Sequence, residues 1–206
     1  MAAVPQPGMQ CDYASLRQSP HVLEAVEDGL LAEQGGLCAY TGHRIILTPA
    51  NPQTGTNREV DFHIDHLTSQ THCRHGQDAT YENLVACWPR PNCGFEPAYG
   101  ARKKDQWPSP AEPGLFVSPL RPDCSTRFRF DHRGKIEPAH ANDQAAQTTI
   151  DRLGLDHHPL TALRRQTVNG ALNPASRQLK LAEARKLLAQ MEQATQALNV
   201  GVNLFL

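Results

Sequence analysis

Long hydrophobic runs are missing from this sequence: no stretch approaches the roughly 20 apolar residues that a membrane-spanning helix needs. The opening "MAAVPQPGMQCDY" has no basic leader followed by an apolar stretch, so no secretory signal is expected and the cytoplasm is the expected compartment. An excess of charge is missing too. Lys and Arg number 20 against 21 Asp and Glu, a formal charge of −1, and no global field advertises a polyanionic partner. Local basic patches stay open at Arg102, Lys103 and Lys104, at Arg127 and Arg129, and at Arg164 with Arg165. Cysteine is sparse. Six residues, Cys11, Cys38, Cys73, Cys87, Cys93 and Cys124, do not make a disulfide scaffold of 206 residues, so in a reducing compartment they are expected as metal ligands or buried thiols. No internal repeat and no low-complexity tract is found.

What is present suits a soluble globular chain: 39% apolar and 20% charged residues, enough for one moderate core or one core with a small appendage. "SPHVLEAVEDGLLAEQGG" predicts a helix with Ser19 as cap, Pro20 in the first turn, Gly35 at the stop, and Leu23, Val26, Leu30 and Leu31 as its apolar stripe. A knuckle-like "LCAYTGHRI" follows, then a loop over 49–57. "EVDFHIDHL" and "NLVACW" predict two short strands joined by a polar segment, and 92–106 a short helix that Pro97 and Gly100 weaken. "LFVSP" and "RFRFDHRGKI" predict further strands, the latter turning at His132 to Gly134. The C-terminal third reads as helices: "DQAAQTTIDRLGL", then "PLTALRRQTVNG" ending at Gly170. A last helix runs from Pro174 behind an Asn173 cap, with Leu181, Ala184, Leu188 and Met191 as a packing stripe.

The densest chemistry lies in "FHIDHLTSQTHC", residues 62–73, which holds His63, Asp65, His66, His72 and Cys73. A carboxylate can bind a divalent ion while a neighbouring imidazole deprotonates water, which makes Asp65 and His66 the leading pair. Strand geometry complicates this. Side chains alternate, so His63 and Asp65 share one face while Ile64 and His66 share the other, and a bend or strand end must aim Asp65 and His66 at one substrate. By themselves such pairs are common in unrelated proteins.

Taken together, "CAYTGHRI", "HIDHL", "TYENLVACWPRPNCG" and "GARKKDQW" resemble the HNH nuclease superfamily, the ββα-metal fold. The resemblance implies an α+β chain with a ββα-metal core, flanking helices and a mainly helical C-terminal region. It implies His66 as the general base, Asp65 as a ligand of the catalytic metal, and Asn83 as the central Asn that holds the connecting loop and orients the histidine. Asn92 looks most like the closing metal ligand. "CWPRPNCGFEPAYGARKKD" is longer and more irregular than the usual closing motif, which keeps His63 and His72 open as alternatives. The metal implied is Mg2+, with Mn2+ as the other option, and Arg102 or Lys103 would grip a neighbouring phosphate. An ordinary solvated charge run is the bland reading of "ARKKD".

Many members of the superfamily frame the hairpin with two cysteine knuckles. Cys38 matches the first, but Thr41 stands where its second cysteine is expected, and Cys87 with Cys93 resembles the other at enlarged spacing. Three thiolates leave a tetrahedral structural Zn2+ one ligand short. His43, His72, Cys73 and His75 are the candidates to complete it; the other outcome is a lost site whose cysteines are buried thiols.

"GLFVSPLRPDCSTRFRFDHRGKIEP" followed by "NDQAAQTTIDRLGLDHHPLTALRR" is similar, more narrowly, to the HNH proteins of retron-associated and Septu-type anti-phage defence systems. The combined resemblance covers roughly residues 35–170 and implies an ABC/SMC-like ATPase partner. It divides the chain into an N-terminal segment and helix (1–34), a nuclease core (35–107), a short-strand extension (108–142) and a helical region (143–206), with one compact domain of core and helical region as the open alternative. The function expected is metal-dependent cleavage of phosphodiester bonds in DNA, RNA being the other substrate. A noncatalytic subunit that binds the ATPase is the competing reading. No membrane partner is expected.

Overall fold

The computed structural model describes residues 12–172 and 180–198. A short helix α1 (Tyr13–Arg17) starts where the Asp12 carboxylate accepts the Ser15 N–H at 2.7 Å. Helix α2 (Pro20–Glu33) follows, with Pro20 in its first turn, where a missing N–H leaves nothing unsatisfied. Ser19 stands at the expected cap position but its side chain makes no capping bond. Beyond the helix, Gly35 and Gly36 take positive φ of 61° and 71° and reverse the chain into the knuckle. Leu30 is buried in the core, while Val26 and Leu31 pack half-buried against it.

The strand expected over 59–67 is split in two. Strand β1 (Leu47–Thr48) pairs with β2 (Glu59–Val60), and β3 (His63–His66) pairs antiparallel with β4 (Leu84–Cys87). The break has a local cause. Asp61 turns its carboxylate back to the Ile46 N–H at 2.8 Å and gives its carbonyl to the Arg90 N–H at 2.7 Å, while Phe62 drops into the core. Between β3 and β4 the polar segment winds through three one-turn 3-10 helices, Gln70–His72, Gln77–Ala79 and Tyr81–Asn83.

After β4, only Ala101–Lys104 of the expected 92–106 helix forms, as the single turn α3. "LFVSP" forms no strand. Its backbone hydrogen bonds go to a side chain instead: Thr149 Oγ1 accepts the Val117 N–H at 2.9 Å and lies 3.3 Å from the Leu115 carbonyl. Strands β5 (Phe128–Phe130) and β6 (Ile136–Pro138) form the expected hairpin, its turn held by Asp131 Oδ1, which accepts the N–H groups of Arg133 and Lys135 at 2.8 Å each.

Helix α4 (Gln144–Leu153) is capped by Asp143, which accepts the Ala146 N–H at 3.0 Å and also pairs with Arg127. It buries Ala146, Thr149, Ile150 and Leu153, a helical stripe. Helix α5 (His158–Leu172) continues through Gly170, where a stop was expected, because Gly170 does not take the left-handed conformation that ends a helix. Helix α6 spans Leu181–Leu198. Asn173 and Pro174, with the side chains of Leu188 and Met191, lie outside the described residues. Leu181 was expected to pack and is 68% exposed.

Helices beside separate two-stranded antiparallel sheets make an α+β chain. One contiguous cluster of buried residues joins Leu30, Tyr40, Leu84, Val117, Ile136 and Leu153, so the three segments expected beyond residue 34 share a core.

Candidate functional site

The site grows from the β3–β4 hairpin. Its register is regular, with Asp65 opposite Val85 and His66 opposite Leu84, and no bulge or bend intervenes. Alternation therefore holds, and the two side chains meet different partners. Asp65 lies with Tyr40 and Lys104, whereas His66 lies with Tyr13 and the carbonyl of Asp78.

The His66 ring is held on two sides. Tyr13 packs edge-on against it, with centroids 4.5 Å apart and planes at 85°. Its Nε2 lies 3.0 Å from the Asp78 carbonyl oxygen. A carbonyl only accepts, so Nε2 carries the proton and Nδ1 of the neutral ring carries the lone pair. Burial holds the imidazole below its ordinary value; the Asp78 carbonyl bond and the Asp65 charge oppose this without reversing it, and the ring is neutral near pH 7. The residue itself is 6% exposed, and Nδ1 is not among the sealed, unpaired polar atoms of the described residues.

The loop that presents the Asp78 carbonyl is organised by Asn83. Its Oδ1 accepts the Thr68 N–H at 2.7 Å, and its Nδ2 reaches the carbonyls of Thr68 at 3.2 Å and Gln77 at 3.3 Å and the Cys73 sulfur at 3.4 Å. Asn83 is thus buried and fully occupied, within the loop that presents the Asp78 carbonyl to His66.

Asp65 is anchored through one oxygen. Oδ2 accepts the Tyr40 hydroxyl at 2.8 Å and lies 3.2 Å from the Lys104 ammonium. Lys104 is fully buried and also donates to the His66 carbonyl at 2.7 Å. Burial, ahead of the Asp65 charge, raises the Tyr40 phenol well above its ordinary value, so it remains a donor.

The remaining expected residues fall elsewhere. Asn92 is exposed in a loop, at φ 58°, and no hydrogen bond ties it to Asp65 or His66 among the described residues. His63 Nδ1 is taken by the Pro89 carbonyl at 2.6 Å, and His72 Nδ1 lies 3.3 Å from the Pro108 carbonyl. Arg102 pairs with Glu96, and Lys103 is exposed. Both line a cleft of about 510 Å³ with Glu96, Pro97, Ala98 and His157.

For a divalent ion the donor set falls short. Hard cations take six or more oxygens and lean on carboxylates. Here one carboxylate stands beside an ammonium, and no group of three His, Cys, Asp or Glu residues converges among the described residues.

The thiols divide similarly. Cys38 and Cys87 are sealed and hydrogen bond each other. Burial alone would raise Cys38, but bonds from Cys87, Thr41 and the backbone draw it down to about 6, while burial pushes Cys87 well up. Cys93 is exposed, its thiol 3.2 Å from the Phe95 carbonyl, and Cys73 bonds the Thr68 carbonyl at 3.3 Å. His43 stacks on Trp88 at 4.4 Å, with Nδ1 3.1 Å from Thr41 Oγ1. Two thiols and a threonine do not make a tetrahedral zinc site.

Three participants were missed from sequence: Lys104 as a buried partner, Tyr40, and the Asp78 backbone. The first gave no sequence signal, since it is the third of three adjacent cations and only its place on the turn, i+3 from Ala101, buries it. Neither the models of known protein families nor the curated proteins match this chain.

Proposed function

We propose that this protein hydrolyses phosphodiester bonds in DNA, as the effector of an HNH-type anti-phage complex. What carries the reading is the tautomer of His66: Nε2–H is committed to the Asp78 carbonyl, which leaves Nδ1 of a neutral ring as the proton acceptor. In the step proposed, a water gives its proton to Nδ1 and its oxygen attacks phosphorus. The bond to the departing oxygen breaks, and that oxygen takes a proton from solvent.

The order of hairpin followed by short helix supports the reading, as does the Asn83 scaffold of the connecting loop. Helix α3 turns Lys104 inward and leaves Lys103 exposed at the cleft with His157, where a cation can meet a backbone phosphate, while Arg102 is paired there with Glu96. The ATPase partner comes from the resemblance alone.

A specific observation favours a second reading. The Lys104 ammonium neutralises the carboxylate expected to bind metal, as a noncatalytic ATPase-binding subunit could tolerate. Plasmid cleavage by the partner-bound protein separates the two. Loss of cleavage in His66→Ala, with fold and complex intact, supports the hydrolase; full phage protection by that variant supports the noncatalytic subunit.

A further inference from the structure

The least expected group in the molecule is the Lys104 side chain. Its surface is entirely sealed, yet it carries a charge, and lysine is almost never buried unless paired. Two acceptors converge on it: the His66 carbonyl at 2.7 Å and Asp65 Oδ2 at 3.2 Å. These belong to adjacent residues of β3, so one ammonium ties the carboxylate to the strand end that carries the base. Tyr40 completes the enclosure by donating to the same Oδ2 at 2.8 Å.

We infer that Lys104 is the resident cation of this centre: its ammonium holds Asp65 permanently, and no divalent ion binds there. The inference rests on the hydrolase reading only in expecting cleavage to proceed without a metal.

Three features argue for permanence rather than a place-holder. A lysine that yields to an arriving ion must move its head into water, and side chains that do so keep the head near the surface. Lys104 has no exposed side-chain atom through which to leave. Leaving would also strand the His66 carbonyl, which accepts from it at 2.7 Å. Finally, an ion on Asp65 would find an ammonium within a few ångströms and, among the described residues, no converging group of three His, Cys, Asp or Glu ligands: His63 is committed to Pro89, Asn83 to its loop, and Asn92 is bonded to neither Asp65 nor His66. Since Lys104 is sealed, it does not touch the phosphate. It is a positioning residue that fixes β3 and the orientation of the Asp65 carboxylate.

The test is a Mn2+ titration of the full-length protein, followed by electron paramagnetic resonance of the free ion. Wild type and Asp65→Asn should give the same curve, because the Asp65 carboxylate is already held by Lys104 and Tyr40 and no further ligands converge on it among the described residues. A site on wild type that Asp65→Asn abolishes overturns the inference.

Plasmid cleavage by the partner-bound protein gives a second readout. Cleavage that persists in EDTA supports the inference; cleavage that Mg2+ restores after EDTA overturns it when wild type also shows a Mn2+ site that Asp65→Asn abolishes, since the ATPase partner needs Mg2+ for its own nucleotide. Absence of cleavage both in EDTA and with Mg2+ defeats the hydrolase reading instead, and the Mn2+ curves then settle the cation by themselves.

Discussion

Gln34 grips both backbone groups of Ala86: its Oε1 accepts the Ala86 N–H at 2.7 Å and its Nε2 donates to the Ala86 carbonyl at 2.9 Å. A side chain at the end of α2 thus takes the place of a neighbouring strand along β4, and Nε2 reaches the Leu37 carbonyl at 2.7 Å as well. In Gln34→Ala the buried Ala86 N–H loses its acceptor, whereas its carbonyl keeps the Ala39 N–H at 3.1 Å. The expected loss is about 1–3 kcal/mol, read as a lower urea midpoint at unchanged slope.

The sign of the pH dependence follows from His66. Its folded-state value lies below 6.5, as does that of half-buried His43, in both cases through burial. The unfolded chain therefore binds more protons between the folded value and 6.5. Stability is fully present above pH 6.5 and falls as pH drops toward the folded value. Thermal unfolding should show this decline, and His66→Gln should make it shallower. Cleavage, if His66 is the base, should hold its plateau below pH 6.5 before falling.

Gly134 carries a strong steric prediction. At φ +82° it lies so close to α5 that an added Cβ would stand 2.3 Å from the Thr161 carbonyl oxygen. Gly134→Ala should therefore cost about 3 kcal/mol, through strain and the forced separation of the β5–β6 turn from α5. Differential scanning calorimetry against Gly170→Ala is the control, since nothing lies within 4 Å of a Cβ at Gly170.

Thiol chemistry should follow access rather than acidity. In a Cys11→Ser background, native-state alkylation should modify exposed Cys93 first, with Cys38, Cys87 and Cys124 reacting only on unfolding, although Cys38 is the thiol drawn down to about 6. Peptide mass spectrometry reads the order. Elemental analysis of untagged protein should find no stoichiometric zinc.

Local punctuation made much of the fold legible. Pro20 and the Gly35–Gly36 pair bracketed α2, and the alternation of Phe128, Arg129 and Phe130 with a turn at Gly134 identified β5 and β6. What failed depended on distant partners. "LFVSP" has strand composition, but Thr149 takes its hydrogen bonds, and nothing nearby in sequence announces that. At the site, His66 and Asn83 could be named because their neighbours resemble a known pattern. Lys104 could not be told from Arg102 and Lys103, since three adjacent cations look alike until one turn of helix docks and buries only the third.

Asp78 serves two masters. Its backbone carbonyl steers His66, and its carboxylate accepts the Tyr13 N–H at 3.1 Å, while the Tyr13 ring lies edge-on to the same imidazole. The beginning of the described chain is therefore mechanically coupled to the proposed proton acceptor. Displacing α1 would admit water to the ring, and since burial is what holds the imidazole below its ordinary value, its basicity would rise.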